Sequence, residues 1–216
     1  MAGRSDGALA DAMRAIAPPG VLTDCRPIQA GDETHLTPAE LRTIPARFVD
    51  RLAASGAARL VARGLLAQCG VAQADILRDV SGAPVWPREA MGSLAHDDAV
   101  AVAAVALLAC GVSPGIDVEP ALPLPDELLE LVLTPADRLG GLAPALAGRL
   151  LFSAKEAVYK SVYPLDGVVL NYDDIAVDFA AGLARTTTGR IARFAWIAAP
   201  RIVTLAVTPV PAAARR

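Results

Sequence analysis

Two short stretches carry most of the ionisable chemistry in this chain. In G-I-D-V-E, Gly115 to Glu119, two acidic residues stand two apart. On a strand, residues i and i+2 share a face roughly 6.6–7 Å apart. Asp117 and Glu119 then point one way, and Ile116 and Val118 point into the core. Carboxylates held side by side repel, and a hard divalent cation with oxygen ligands, such as Mg²⁺, compensates them well. A half-buried strand with a solvated acidic face has the same pattern. In F-S-A-K-E-A-V-Y-K, Phe152 to Lys160, Glu156 precedes Lys160 by four residues. On a helix this pair lies opposite an apolar stripe of Leu150, Ala154, Val158 and Val162. Facing solvent, such a pair adds only ~0.2–0.5 kcal/mol. Facing the strand, it completes a set of three carboxylates and one lysine. That set could hold Mg²⁺ on a diphosphate and supply a base and an acid for phosphoryl-type transfer.

The elements that must position these residues are legible as periods and stops. The second stretch belongs to a helix predicted over about Ala145 to Tyr163. A second long helix is predicted from about Ala46 to Gln68, stopped by Gly70, with Arg51, Arg59 and Arg63 near one face. Shorter helices are predicted over Leu9 to Ile16 and Asp126 to about Leu133. Thr37-Pro38-Ala39-Glu40 has the pattern of a helix start, and Thr134-Pro135-Ala136-Asp137 repeats it. Val100 to Leu108 and Gly115 to Glu119 read as strands joined by a turn at Gly111 to Pro114. Ile175 to Phe179, Arg190 to Ile197 and Ile202 to Val207 read as antiparallel strands. Pro211 to Arg216 are expected to fray. Each half thus holds a long helix and a few strands, which predicts two similar α+β lobes, 1–114 and 115–216.

Composition narrows the classes. The chain has 216 residues and is 54% apolar but only 4% aromatic, so its core is built of small aliphatic side chains. A net charge of −3 offers no general attraction to nucleic acid. Lysine occurs only at 155 and 160 among the 20 basic residues. Three widely spaced cysteines argue for a reducing compartment and against a disulfide framework or a zinc site. Asp6 and Asp11 interrupt the apolar segment a signal peptide needs. The uncharged run Ala99 to Ile116 contains Gly111, Pro114 and Gly115 and reads as a strand and turn, not a membrane span. A cytoplasmic protein is expected. His35 reads as a loop residue, Trp86 and Trp196 as packing, and Arg63 as either a structural partner for a carboxylate or a ligand contact.

G-I-D-V-E followed by F-S-A-K-E-A-V-Y-K resembles the paired signatures of the 4′-phosphopantetheinyl transferase superfamily. R-L-A-A-S-G-A-A-R-L-V-A-R-G-L-L-A-Q-C-G, Arg51 to Gly70, is similar to that family's basic helix. W-P-R-E-A-M-G-S-L-A-H, Trp86 to His96, resembles the segment lining its nucleotide pocket. The resemblance runs in order over residues 36 to 179 and is nearest to the compact, enterobactin-synthetase-component-D-like (Sfp-type) branch. It implies an α+β fold of two lobes related by a pseudo-two-fold, each a small antiparallel sheet with a long helix, with coenzyme A nucleotide binding in the first lobe, metal and catalytic residues in the second, and the active site at their interface. It also implies transfer of the phosphopantetheine arm of coenzyme A to a serine on an apo acyl or peptidyl carrier protein, with release of 3′,5′-ADP.

By that resemblance Asp117, Glu119 and Glu156 hold Mg²⁺, with Mn²⁺ as an alternative. Glu156 and Lys160 are the catalytic pair. Arg51, Arg59, Arg78, Ser81, Ala95 and His96 belong to the coenzyme site, and Leu170 lies beside the pantetheine arm. A monomer that binds neither nucleic acid nor membrane is expected. Three positions depart from the family pattern: Ala95 replaces a hydroxyl residue, Ser81 a lysine, and Ala58 a glycine. A non-catalytic coenzyme or carrier-binding module, and an unrelated Mg²⁺-dependent phosphohydrolase, are the competing functions.

Overall fold

The computed structural model describes residues 7–45, 48–72 and 75–211. The chain divides into two units at Cys110–Gly111. The first contains α1 (Gly7–Ile16), β1 (Val21–Pro27), a 3-10 turn at Asp32–His35, α2 (Pro38–Thr43) and α3 (Val49–Gln68). It continues with β2 (Leu77–Arg78), β3 (Pro84–Val85), β4 (Ala90–His96) and β5 (Val100–Leu107). β5 is the central strand of an antiparallel sheet ordered β1-β5-β4, and β2 and β3 form a separate hairpin.

Alanine governs packing in this unit. Ala57 and Ala58 of α3 meet Ala101 of β5, and Val61, Ala62, Leu65 and Leu66 continue the contact to Ala103 and Val105. Side chains this small let helix and strand backbones approach closely. α2 starts as its residues predict: the Thr37 hydroxyl accepts the Glu40 N–H at 3.2 Å, and Glu40 accepts the Thr37 N–H at 2.9 Å. Glu40 is fully buried. Its carboxylate also accepts from Arg63 at 2.9 Å and from the Ile76 N–H at 2.9 Å, so one buried acid ties α2, α3 and the approach to β2 together.

The second unit contains β6 (Val112–Pro120), α4 (Asp126–Val132), α5 (Pro144–Asp166), β7 (Ile175–Asp178), β8 (Leu183–Thr186), β9 (Ile191–Ile197) and β10 (Arg201–Pro209). Its five-stranded antiparallel sheet is ordered β6-β10-β9-β8-β7. The predicted stripe of α5, Leu150, Ala154, Val158 and Val162, is buried with Ile175, Val177, Phe179, Phe194 and Ile202. Each large aliphatic side chain so covered stabilises the fold by about 1.5–3 kcal/mol. Gly167, in the left-handed region at φ 64°, ends α5, with its N–H bonded to the Tyr163 carbonyl at 2.8 Å.

Several expectations change. The strands predicted on either side of Gly111 do not pair: β5 joins β1 and β4, and β6 joins β10. Adjacency in sequence is a weaker constraint than the burial of each strand in its own sheet. Thr134–Asp137 makes one of the two bonds of a helix start, Asp137 accepting the Thr134 N–H at 2.9 Å, but the Thr134 hydroxyl donates to the same carboxylate and no helix begins. The same Asp137 oxygen also accepts from Lys155 at 2.7 Å, and a bridge from Arg138 to Asp178 takes the chain onward. β1, β2, β3, β4 and β8 are strands that the residue patterns do not predict. The predicted start of the second long helix at Ala46, and the expected fraying beyond Pro211, lie outside the described residues. Among the described residues, no helix is long and apolar enough to cross a membrane.

Asp166, at the end of α5, accepts from Arg190 at 2.6 and 2.8 Å and from the Thr188 hydroxyl at 2.9 Å. The bond from Arg190, helped by Thr188 and opposed by partial burial, holds its carboxyl below the ordinary range. A depressed folded-state pKa contributes stability that is present above the unfolded value and lost as pH falls through the folded one. Asp166→Asn is therefore expected to lower the urea midpoint at about pH 6 and to approach the parent's midpoint at about pH 2. Equal deficits at both pH values would remove the ion pair from this account.

Candidate active site

The acidic face of β6 looks toward α5. A side-chain carbon placed on Gly115 would lie 2.0 Å from the Ala157 carbonyl oxygen and 2.6 Å from the Ser161 nitrogen. Only glycine allows the helix backbone to pass that close. Two residues on, the same face carries Asp117, and the helix brings Lys160 onto it: Nζ donates to Oδ1 at 2.6 Å. Ile116 and Val118 are buried on the opposite face, as the alternation predicts.

Each of the other two acids also meets a cross-fold donor. Arg149, on the first turns of α5, donates from Nη1 to Glu119 Oε2 at 2.8 Å. It also donates to the carbonyls of Leu122 at 3.3 Å and Pro123 at 2.9 Å. The Tyr172 hydroxyl donates to Glu156 Oε1 at 3.2 Å. Glu156 and Lys160 therefore do not form the solvent-facing pair that spacing alone would allow.

The charges are mutually dependent. Burial raises the pKa of Glu156, Asp117 adds to the rise, and Lys160 and Tyr172 oppose it. Burial likewise raises Glu119, with Asp117 adding and Arg149 opposing. Burial alone would lower Lys160, but attraction from Asp117, Glu156 and Glu119 outweighs it and holds the ammonium above its ordinary value. Tyr172 is pushed up to about 12 by burial and by Glu156, so its hydroxyl remains a donor at neutral pH.

Asp117 Oδ2 is buried and has no hydrogen-bond partner among the described residues. A buried anionic oxygen left bare is costly, and a hard cation is the kind of partner it accepts. By donor type and by this orphaned atom the residues fit Mg²⁺. Among the described residues no three His, Cys, Asp or Glu side chains are gathered into a ready-made ligand group, and Mg²⁺ commonly takes only one or two carboxylates besides water and phosphate oxygens.

A small cavity of about 280 Å³ adjoins Glu156 and is lined by Tyr159, Val169, Leu170, Asn171 and Tyr172 among others. In the first unit a larger cleft, about 920 Å³, brings together Arg51, Arg78 and His96 with Asp50, Asp97 and Asp98. Arg78 is held on the turn that follows it, donating from Nε to the Gly82 carbonyl at 3.1 Å. Gly82 has φ 97°, and a side chain there would press within 2.7 Å of the Arg78 guanidinium.

Two family profiles match this chain in succession. The 4′-phosphopantetheinyl transferase N-terminal domain matches residues 40–106, and the 4′-phosphopantetheinyl transferase superfamily matches 113–207. The chain belongs to the 4′-phosphopantetheinyl transferase superfamily. It is 40% identical over 164 residues to the 4′-phosphopantetheinyl transferase Svp of Streptomyces mobaraensis, covering 72% of this chain and 65% of that protein. It is 37% identical over 140 residues to PptT of Mycobacterium tuberculosis, covering 63% and 60%. Enterobactin synthase component D of Escherichia coli O157:H7 is 40% identical over 100 residues, covering 43% and 47%. The matches thus span between about half and two thirds of these relatives' lengths.

Of the residues the phosphopantetheinyl transferase signatures single out, Asp117, Glu119, Glu156 and Lys160 are electrostatically coupled, and Leu170 borders the cavity beside Glu156. Arg51, Arg78 and His96 share the larger cleft. Arg59, Ser81 and Ala95 do not line it. Arg59 is buried, donating to the Ile76 carbonyl at 2.8 Å near Glu40. Ser81 bonds Asp79 within its own turn, and Ala95 is buried in β4. Arg63 proves to be a carboxylate partner, and Trp86 and Trp196 pack against the two cores.

Arg149, Tyr172 and the bond from Arg63 to Glu40 were missed by sequence reasoning. Each acts across at least 16 residues of chain, so no local spacing signals it. The repeated lysine was a usable signal for Lys155. That residue is fully buried, and its ammonium serves Asp137 at 2.7 Å and the carbonyls of Val132 and Tyr172, each at 2.8 Å. Lys155→Met should strand the buried Asp137 charge and cost about 3–5 kcal/mol in urea unfolding. Adding Asp137→Leu should recover part of that loss. A single variant as stable as the parent would contradict the closed ion pair.

Proposed function

We propose that this protein transfers the 4′-phosphopantetheine group of coenzyme A to a serine of an apo acyl or peptidyl carrier protein, releasing 3′,5′-ADP. The observation that carries the reading is Lys160 on Asp117 at 2.6 Å, with Glu156 and Glu119 in the same field, on the two signature stretches of the family. Relatives that carry the transferase name support it.

Asp117, Glu119 and Glu156 would hold Mg²⁺ or Mn²⁺. A cation held there would neutralise the diphosphate and polarise the phosphorus under attack. Glu156, its pKa raised by burial, takes the proton of the carrier serine directly or through a water. The serine Oγ–phosphorus bond forms as the bond from that phosphorus to the bridging oxygen breaks, and the electron pair leaves on the nucleotide. Lys160 stabilises the diphosphate and that departing charge. Leu170 lies beside the pantetheine arm. Arg51, Arg78 and His96 hold the nucleotide phosphates, and buried Arg59 braces the helix that carries Arg51. The Cys69 and Cys110 thiols suit work in the reducing cytoplasm, and the proposed working unit is a monomer.

The test is turnover with coenzyme A, Mg²⁺ and an apo carrier protein. Transfer of the arm with release of 3′,5′-ADP is expected. Binding without turnover would identify a non-catalytic module, and release of phosphate without carrier modification a hydrolase. Asp117→Ala and Glu156→Gln should each reduce transfer sharply, and the double variant should cost much less than the product of the two, because groups acting as a unit are not additive.

The cleft has its own test. Arg51→Ala and Arg78→Ala should each weaken coenzyme A binding by about 1.5–3 kcal/mol and reduce its advantage over a coenzyme lacking the 3′-phosphate. Unchanged calorimetric affinities would take these arginines off the nucleotide.

A further inference from the structure

The three acids share a pattern that no sequence motif contains. Each has one oxygen committed to a protein donor. Lys160 takes Asp117 Oδ1 at 2.6 Å, Arg149 takes Glu119 Oε2 at 2.8 Å, and the Tyr172 hydroxyl takes Glu156 Oε1 at 3.2 Å. Among the described residues nothing donates to the second oxygen of any of them, and that of Asp117 is buried as well.

Two of the donors are anchored independently of the acid they serve. The Arg149 guanidinium uses its other nitrogens on the Leu122 and Pro123 carbonyls, so its fork stays in place whether or not Glu119 turns. Its side chain is only 14% exposed. Tyr172 is fixed from behind. Its own carbonyl accepts from the buried Lys155 ammonium at 2.8 Å. The turn it sits in is closed by Asp174 accepting the Asn171 N–H at 2.9 Å, and its ring packs against Phe152 with centroids 6.0 Å apart.

We infer that Arg149 and Tyr172 are positioning residues for the divalent cation: each binds one oxygen of Glu119 or Glu156 and so turns the other toward the metal. The inference rests on the functional reading above and goes further, by assigning two residues outside both signature stretches' acidic and basic positions. Its physical basis is general. A ligating carboxylate free to rotate pays an ordering cost on every binding event, whereas one already hydrogen-bonded presents a fixed lone pair, and losing such an outer partner weakens metal binding by about 10–100-fold. Lys155 extends the arrangement by one link, since it holds the backbone from which the Tyr172 hydroxyl reaches Glu156.

The experiment measures Mn²⁺ binding to the full chain by calorimetry, together with melting, transfer rate and coenzyme KM. Tyr172→Phe removes one hydroxyl and keeps the ring. Arg149→Lys keeps the charge but replaces the planar fork, whose separate nitrogens reach three acceptors, with a single ammonium nitrogen. Tyr172→Phe is expected to raise the Mn²⁺ dissociation constant about 10–100-fold, with Arg149→Lys affected less and Arg149→Gln at least as much as Arg149→Lys. At saturating metal the coenzyme KM of the Arg149 variants should stay at the parent value, since Arg149 lines neither the cleft nor the cavity beside Glu156. Variants that melt lower but bind Mn²⁺ as tightly as the parent have lost only a structural contact, and that result overturns the inference. A parent chain that binds no Mn²⁺ and transfers nothing overturns the functional reading along with it. A parent that binds and transfers, beside variants that bind equally well, overturns the inference alone.

Discussion

The close crossing of α5 over β6 at Gly115 is the constraint on which the second unit's chemistry depends. Any side chain at that position would meet the helix backbone at 2.0 Å, and the helix would have to stand further off. With glycine there, the next residue on the same strand face comes within 2.6 Å of Lys160. The lysine then experiences all three acids, and their attraction outweighs the penalty of its burial. Each acid in turn has its pKa or its geometry set by what this crossing brings near it. A missing side chain thus determines the electrostatics of four charged ones.

Two lysines on one helix, five residues apart, show how differently buried charge can be used. Lys155 is closed: three donors, three acceptors, no exposure, and a partner acid that is also fully enclosed. Such a group stabilises and orients but has nothing left to offer a ligand. Lys160 is open: it is 28% exposed, and the acid it pairs with keeps a bare oxygen. An incompletely satisfied buried charge is costly to a fold, which is a reason to look for a ligand there. The same contrast separates Arg59 from Arg51 in the first unit. Both stand on α3, yet the buried one is consumed by the Ile76 carbonyl and the neighbourhood of Glu40, while the exposed one faces the cleft.

The first unit reaches its cleft through a different economy. Alanine-rich surfaces on α3 and β5 supply close contact with little side-chain entropy lost, and one buried acid, Glu40, collects the hydrogen bonds that join the short elements to the long helix. Arg78 follows two residues after Ile76, whose N–H Glu40 accepts. The capping residue of a six-residue helix therefore also sets where a cleft arginine begins.

What the sequence determined by itself was whatever is local. The period of α5, its apolar stripe, the alternation of Ile116, Asp117, Val118 and Glu119, and the Thr37–Glu40 cap all depend on spacings of four residues or fewer, and backbone geometry converts such spacings directly into faces and ends. Tertiary structure alone decided three things. It decided which strands pair, so that β5 and β6, neighbours in sequence, enter different sheets. It decided that Thr134–Asp137 starts no helix and that its acid serves Lys155 as well as Thr134. And it decided which donors meet the three acids, because Arg149 and Tyr172 lie 30 and 16 residues from the acids they hold. A short motif can name the charged groups of a site, but the partner of each charge is set by chain segments that only folding brings together.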